Sequence, residues 1–261
     1  MTEDNELVSP VLSSAYEPRL SIVLPVYNEA SILRQNVESI EKVASQITRD
    51  YEIIIAEDGC SDETSRIAAD LSVNSSRVIH LHSDRRLGKG LALKRALKAC
   101  EGRIVTFMDA DLSTSLDHLH DVVKLVDNGY DVVIGSRHSR GSCTRRPLFR
   151  AIASRTYNVL VRFLFRDSVL DHQCGFKGFN RQVLNDVLDE TAENGFLFDT
   201  ELILRLKLKR LRMIEIPVRW TETGERNSKF RLIPDGAIMV FKLLRLRFRL
   251  RDRAWFASRH V

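Results

Sequence analysis

The sequence has neither a Gly-x-Gly-x-x-Gly after its first strand-like segment nor a Gly-x-x-x-x-Gly-Lys-[Ser/Thr] loop. These two absences exclude the common glycine-rich cradles for dinucleotides and triphosphates. A nucleotide bound by this chain would have to be held by carboxylates and a metal. The four cysteines, Cys60, Cys100, Cys143 and Cys174, include no C-x-x-C pair. That argues against a zinc site or a disulfide framework and suits a reducing compartment. The seven histidines show no H-x-x-x-H spacing, and His118 and His120 stand at i, i+2, which cannot share a helix face. No apolar run approaches the roughly eighteen residues of a membrane span. Residues 1–18 are too acidic and polar for a signal peptide and read as a flexible leader, so the expected setting is cytosolic. Low-complexity tracts and internal repeats are missing as well.

What the chain does contain is a short apolar segment, Ile104 to Met108, that stops abruptly in two carboxylates, Asp109 and Asp111. In an extended backbone, residues i and i+2 point to the same side. Both carboxylates should then face one spot at the carboxyl edge of a sheet, where open α/β sheets bind ligands. Two hard oxygen donors there suit a Mg²⁺ or Mn²⁺ ion that also holds phosphate oxygens. A solvated Asp-rich turn is the plainer alternative for D-x-D on its own.

The length of 261 residues fits one large α/β domain or two small ones. Strand patterns at 20–25, 51–56, 78–82, 104–109 and 131–135 alternate with helical patterns. The first helix places Leu33, Val37, Ile40, Ala44 and Ile47 at three- and four-residue steps. Ser61 or Asp62 is the expected cap of the second. This order implies a mostly parallel, Rossmann-like open sheet with right-handed crossovers, flanked by helices. The second half begins with a basic helical segment at 145–165. A turn and short strand follow at 171–179, then a helix opening at Phe198 and a strand at 213–218. Asp199 and Glu201 read as charges at that helix's N-terminus, where negative charge is favoured; the alternative role for one of them is to orient an arginine in the site.

Taken in order, the motifs resemble those of the inverting family 2 glycosyltransferases with a GT-A fold, and within them the polyprenyl- and dolichyl-phosphate hexosyl synthases. Leu24-Pro-Val-Tyr-Asn-Glu29 is similar to the family's opening nucleotide-binding strand, and Glu57-Asp-Gly-Cys-Ser-Asp62 to its base-recognition turn. Arg86-Leu-Gly-Lys-Gly90 matches its basic loop and Met108-Asp-Ala-Asp111 its metal motif. Gly135-Ser-Arg137, Arg150-x-x-x-Ser154 and Asp171-His-Gln-Cys-Gly-Phe176 match the parts that shape the acceptor side. The resemblance implies a nucleotide-binding set of Pro25, Tyr27, Glu29, Asp58, Lys89 and Asp109, with Asp58 accepting from the base. It implies metal ligands Asp109 and Asp111, an acceptor-phosphate set of Arg137, Arg150 and Ser154, and a mobile loop ending at Ser228 and Lys229. Asp111, Arg137 and Arg150 are the expected catalytic residues. Ser113 stands where mannose-type members often carry Gln, and the 224–229 loop is longer than usual. Ser113 and the 171–176 motif lean towards the glucose type.

The implied reaction moves a hexose from UDP-glucose or GDP-mannose to dolichyl or polyprenyl phosphate with inversion. Because the acceptor is already an anion, no protein base is needed. Two other classes fit parts of the sequence: a metal-dependent phosphatase of the aspartyl-phosphate type, and a non-catalytic nucleotide-sugar binding module. The first usually carries its D-x-D on the chain's first strand, and the second leaves the acidic strand ends unexplained. Nucleic acid is not an expected partner.

The net charge of +5 is concentrated near the C-terminus, where Lys242, Arg245, Arg247, Arg249, Arg251 and Arg253 stand against Asp252 alone. The expected organisation is a leader (1–18), a GT-A domain (19–235) and a basic amphipathic segment (236–261). Lys242, Arg245, Arg249 and Arg253 fall on one helical face, with Leu243, Leu246 and Leu250 on the next. Such a segment is expected to lie on the cytoplasmic face of a membrane, or against a small membrane subunit, without crossing it. Its alternation from Arg245 to Arg251 also suits an edge strand.

Overall fold

The computed structural model describes residues 19–222 and 232–257. Five strands alternate with four helices in the first half: β1 (Leu20–Val26), α1 (Leu33–Ile47), β2 (Tyr51–Glu57), α2 (Thr64–Asn74), β3 (Val78–Leu81), α3 (Lys89–Ala99), β4 (Ile104–Met108), α4 (His118–Asp127) and β5 (Val132–Ser136). The later elements are β6 (Cys143–Arg145), α5 (Leu148–Phe165), β7 (Phe176–Asn180), α6 (Arg181–Leu188), α7 (Phe198–Leu208), β8 (Met213–Pro217), β9 (Arg219–Thr221) and α8 (Leu232–Ala257). Leu33, Val37, Ile40 and Ala44 are buried as their spacing requires, and Ile47 packs at the rim.

Seven strands form one sheet in the order β3-β2-β1-β4-β7-β5-β8. All pairs are parallel except those made by β7, which runs antiparallel between β4 and β5. The expected mostly parallel α/β sheet is therefore present. Its strands are apolar almost throughout because helices cover both faces. A two-stranded sheet of β6 and β9 lies apart from it.

The C-terminal segment is a helix and not an edge strand, and it begins ahead of the expected boundary at 236. Leu243, Leu246 and Leu250 are buried with Val161 of α5 and Leu204 of α7 in a third apolar cluster. Burying each such leucine contributes about 1.5–3 kcal/mol, so this face belongs to the fold and is not free for a lipid. Lys242 and Arg249, expected on the basic face, both pair with Glu193. The exposed side instead carries Ile238, Phe241, Leu244 and Phe248. α5 exposes Leu148, Phe149, Ile152, Val159 and Phe163 beside it. No helix among the described residues is long and apolar enough to cross a membrane.

Candidate active site

A cleft of about 1180 Å³ opens at the carboxyl ends of β1, β2 and β4, the edge where an open α/β sheet leaves room for a ligand. Its lining includes Pro25, Tyr27, Glu29, Asp58, Lys89, Asp109, Asp111, Arg137, Arg150 and Ser154. The structure thus brings together every expected site residue except Ser228 and Lys229, which lie outside the described residues.

The turn after β2 is fixed from both sides. Asp58 is almost wholly buried, and its Oδ1 accepts from the backbone N–H groups of Leu87 (2.5 Å) and Gly88 (2.9 Å). The Arg86 guanidinium approaches Oδ2 at 3.9 Å and stacks 3.9 Å from the centre of the Tyr27 ring. Gly59 has φ +63°, and a Cβ there would run into the Arg85–Arg86 backbone. Glycine is thus required for the two loops to meet. The N-cap of α2 is Glu63, not Ser61 or Asp62 as expected; Asp62 Oδ1 instead accepts from Thr64 N–H (3.0 Å), and Ser61 N–H donates to the Asn28 side chain.

Beneath this turn, Glu57 Oε2 lies 2.7 Å from both His80 Nε2 and His82 Nδ1, and Glu57 Oε1 accepts from Cys60 N–H. These three side chains are the described group whose donor atoms cluster closely enough for a metal. Their atoms are already spent on one another, however, and none of the three lines the cleft. The contact to Cys60 gives them a different role, that of bracing the turn. Burial pushes the Glu57 carboxyl up, but the bonds from His82 and His80 outweigh it and hold the pKa below its ordinary value. Glu57 and then Asp84 raise His82 in return.

At the end of β4 the backbone departs from the expected extended path. Asp109 to Leu112 forms a turn closed by Leu112 N–H donating to Asp109 C=O, with Leu112 at φ +51°. Asp109 and Asp111 still both reach the cleft, through the turn and not through strand alternation. Lys89 Nζ donates to Asp109 Oδ1 at 2.7 Å. Burial lowers the Lys89 ammonium's pKa, and the facing Asp109 and Asp199 more than reverse that. Ser113 donates to Asp111 Oδ1 through both N–H (3.0 Å) and Oγ (2.7 Å).

Among the described residues no donor reaches the second oxygen of either carboxylate, leaving one hard oxygen on each. That donor set fits a Mg²⁺ or Mn²⁺ ion, which takes one or two carboxylates and fills its remaining positions with water and phosphate. Gly175 makes the arrangement sterically feasible, since a Cβ there would land inside the Asp109 carboxylate.

Three arginines, Arg137, Arg146 and Arg150, line the cleft as well. Arg137 Nε and Nη2 grip Asp171 in a fork at 2.7 and 2.9 Å, and Arg137 N–H adds a third bond. Burial drives the Asp171 carboxyl up, but the Arg137 guanidinium overrides it and holds the group well below the carboxylate range. Arg150 pairs with Glu222. Ser154 Oγ lies 3.1 Å from His138 Nε2. Arg146 and Trp220 also line the cleft, and Arg146 was not singled out from the sequence. Arg146 sits in a basic run ahead of α5, where nothing local separates it from a solvated charge. Beyond the arginines the wall turns apolar, with Phe149, Ala153, Leu160 and Val240.

Asp199 and Glu201 serve the scaffold. Asp199 pairs with the buried Lys177 at 3.3 Å, and Glu201 holds Arg205, so neither orients a cleft arginine. Cys174 is buried, and burial pushes its thiol up to about 11.

The chain is 39% identical over 247 residues to glycosyltransferase AglD of Haloferax volcanii, a match that takes in 94% of this chain and 39% of that protein's length. It is 27% identical over 260 residues to dolichyl-phosphate beta-glucosyltransferase ALG5C of Trichomonas vaginalis, covering 94% of this chain and 76% of the relative. The fold is shared with glucosyl-3-phosphoglycerate synthase of Mycobacterium tuberculosis, solved with Mn²⁺, UDP and glucosyl-3-phosphoglycerate. That likeness has a TM-score of 0.60 at 22% identity, over 88% of this chain and 80% of the other. Residues 21–188 match the family model described as glycosyl transferase family 2. The chain belongs to glycosyl transferase family 2.

Proposed function

We propose that the protein transfers a hexose, with inversion, from a nucleoside diphosphate sugar to the phosphate of a long polyprenyl lipid, and that UDP-glucose is the donor. The observation that carries this reading is the division of one cleft into a carboxylate wall, a guanidinium wall and an apolar exit. The names of the Trichomonas relative and of a Dictyostelium discoideum relative, dolichyl-phosphate beta-glucosyltransferase, support the acceptor and the sugar.

On the donor wall, Asp58 Oδ2 is the oxygen left to accept from the base. Pro25, Tyr27 and Glu29 line that part of the cleft. Asp109 and Asp111 would hold Mg²⁺ or Mn²⁺, and a bound ion supplies Lewis-acid stabilisation of the leaving diphosphate. Mn²⁺ with UDP in the mycobacterial relative is a precedent within this fold. Lys89, paired with Asp109, places its ammonium in the same region.

On the acceptor wall, Arg137, Arg150 and Ser154 position the phosphate. A monoester phosphate is anionic at neutral pH, having a second pKa of about 6. Its oxygen attacks the sugar carbon directly, and the protein's task is to hold two like-charged groups within reach. Because Asp171 fixes the Arg137 fork, that guanidinium needs little reorganisation when the acceptor arrives.

The exposed apolar residues of α5 and α8 form the membrane seat. Their surface is continuous with the apolar end of the cleft, so a lipid tail passes from the bilayer to the arginines without crossing water. In this reading α5 joins the C-terminal helix in facing the membrane, and residues 1–18, expected as a leader, lie outside the described residues.

The test is transfer of radiolabel from UDP-glucose or GDP-mannose to a short polyprenyl phosphate, with Mg²⁺ or Mn²⁺. Glucosyl lipid formed only with metal is the expected product. Mannosyl lipid would reassign the donor, and label found only in free sugar would remove the acceptor assignment.

A further inference from the structure

Of the three arginines on the acceptor wall, two arrive already neutralised. The Arg137 fork is occupied by Asp171, and Arg150 is paired with Glu222. Each pair sums to zero charge, so neither supplies a free cation for an incoming dianion.

Arg146 differs from both. No carboxylate among the described residues pairs with it, and its Nε is buried without a hydrogen-bond partner. The guanidinium carbon lies 5.9 Å from the centre of the Trp220 ring, and that of Arg137 lies 5.6 Å from the same ring. Trp220 thus presents its ring to two guanidiniums and is part of the wall itself. Burial first, and then repulsion from Arg137, bring the Arg146 pKa down to about 10, so the group is still charged at neutral pH. A half-buried cation with an idle donor and a like-charged neighbour is under electrostatic stress that an anion in the cleft relieves.

We infer that Arg146 is a further ligand of the acceptor's phosphate beside Arg137 and Arg150, and the one among them whose charge no described carboxylate offsets. This rests on the proposed reading of the acceptor as a lipid phosphate. Under it, Arg137 and Arg150 are scaffolded charges that shape the pocket, and Arg146 carries the unbalanced one. A planar guanidinium offers two parallel N–H donors to phosphate, which an ammonium cannot copy.

The experiment uses the full chain, UDP-glucose with Mn²⁺, and a short polyprenyl phosphate. Arg146→Ala should raise the acceptor KM at least tenfold, while calorimetric donor affinity and the thermal midpoint stay at wild-type values. Arg146→Lys should recover part of the loss, and added guanidinium should recover part of it in the alanine variant. An acceptor KM within twofold of wild type in Arg146→Ala overturns the inference, as does a loss of donor affinity in place of acceptor affinity. If the alanine variant does not fold, Arg146→Lys decides: a wild-type acceptor KM rejects the inference and a raised one upholds it. Wild-type enzyme that binds UDP-glucose but never uses polyprenyl phosphate overturns the acceptor reading first, and this inference falls with it.

Discussion

On the carboxylate wall, Asp58, Lys89 and Asp109 sit at strand ends or on the loops that leave them, and each is held by a neighbouring loop: Asp58 by the N–H groups of 87 and 88, Asp109 by Lys89. On the guanidinium wall each arginine is set by a residue far along the chain. Arg137 waits for Asp171, Arg150 for Glu222, and Arg146 for Trp220 on β9. The first wall is a product of local motif and sheet edge. The second exists only once β6, β9, α5 and α8 have been brought together. Damage to the first should therefore act on chemistry, and damage to the second on acceptor binding and on the fold.

The largest effect should come from Asp111→Asn. Removing a carboxylate that places a metal forfeits several kcal/mol of transition-state stabilisation, about 10²-fold or more in rate. The thermal midpoint should hardly move, because the Asp111 carboxylate hydrogen-bonds only Ser113 among the described residues. Transfer rates at saturating Mn²⁺ check this, and wild-type turnover would remove Asp111 from the metal site.

Asp171→Asn should do the reverse and act on stability. It leaves the Arg137 guanidinium buried without its counter-charge, a loss of about 3–5 kcal/mol. Denaturant unfolding measures it, and a cost below about 1 kcal/mol would mean that the pair behaves like a surface contact.

Gly175→Ala acts on Asp109 from the segment that also carries Asp171, since its methyl group would overlap the Asp109 carboxylate. Metal affinity and turnover should fall together, with Asp58-dependent nucleotide binding kept; calorimetry of UDP with and without Mn²⁺ separates these.

The smallest effect concerns the brace beneath the donor turn. The His82 pKa is raised by Glu57, so its contribution is complete below its unfolded value near 6.5 and fades as pH rises through the folded value. The Glu57 pKa is lowered, so its contribution is complete above about 4.5 and is lost in acid. His82→Gln should therefore cost more stability at about pH 5.5 than at about pH 9. A cost independent of pH would show that the ion pair contributes nothing.

This difference between the walls also explains what the sequence could reveal. The parallel sheet, the turn at Asp58 and the carboxylates at Asp109 and Asp111 follow from apolar periodicity and short motifs. The antiparallel insertion of β7 between β4 and β5 left no comparable trace. Nor did the Arg146–Trp220 contact, the turn that redirects Asp111, or the burial of Leu243, Leu246 and Leu250 against α5 and α7. The turn is local but carries no glycine or proline to mark it; the others depend on distant segments, and helical periodicity cannot say which of two apolar faces meets the domain and which meets solvent. In α8 the leucines turned inward, and Phe241 and Phe248 were left outside.

The measurement that tests the division most directly is calorimetric binding of UDP-glucose, with and without Mn²⁺, to wild type, Asp109→Asn, Asp111→Asn, Arg146→Ala and Arg150→Ala. Donor binding should lose its dependence on Mn²⁺ in both aspartate variants and keep wild-type affinity and metal dependence in both arginine variants. Arginine variants that lose donor affinity, or aspartate variants that still respond to Mn²⁺ as wild type does, would contradict the separation of the cleft into a metal-bearing donor wall and a cationic acceptor wall.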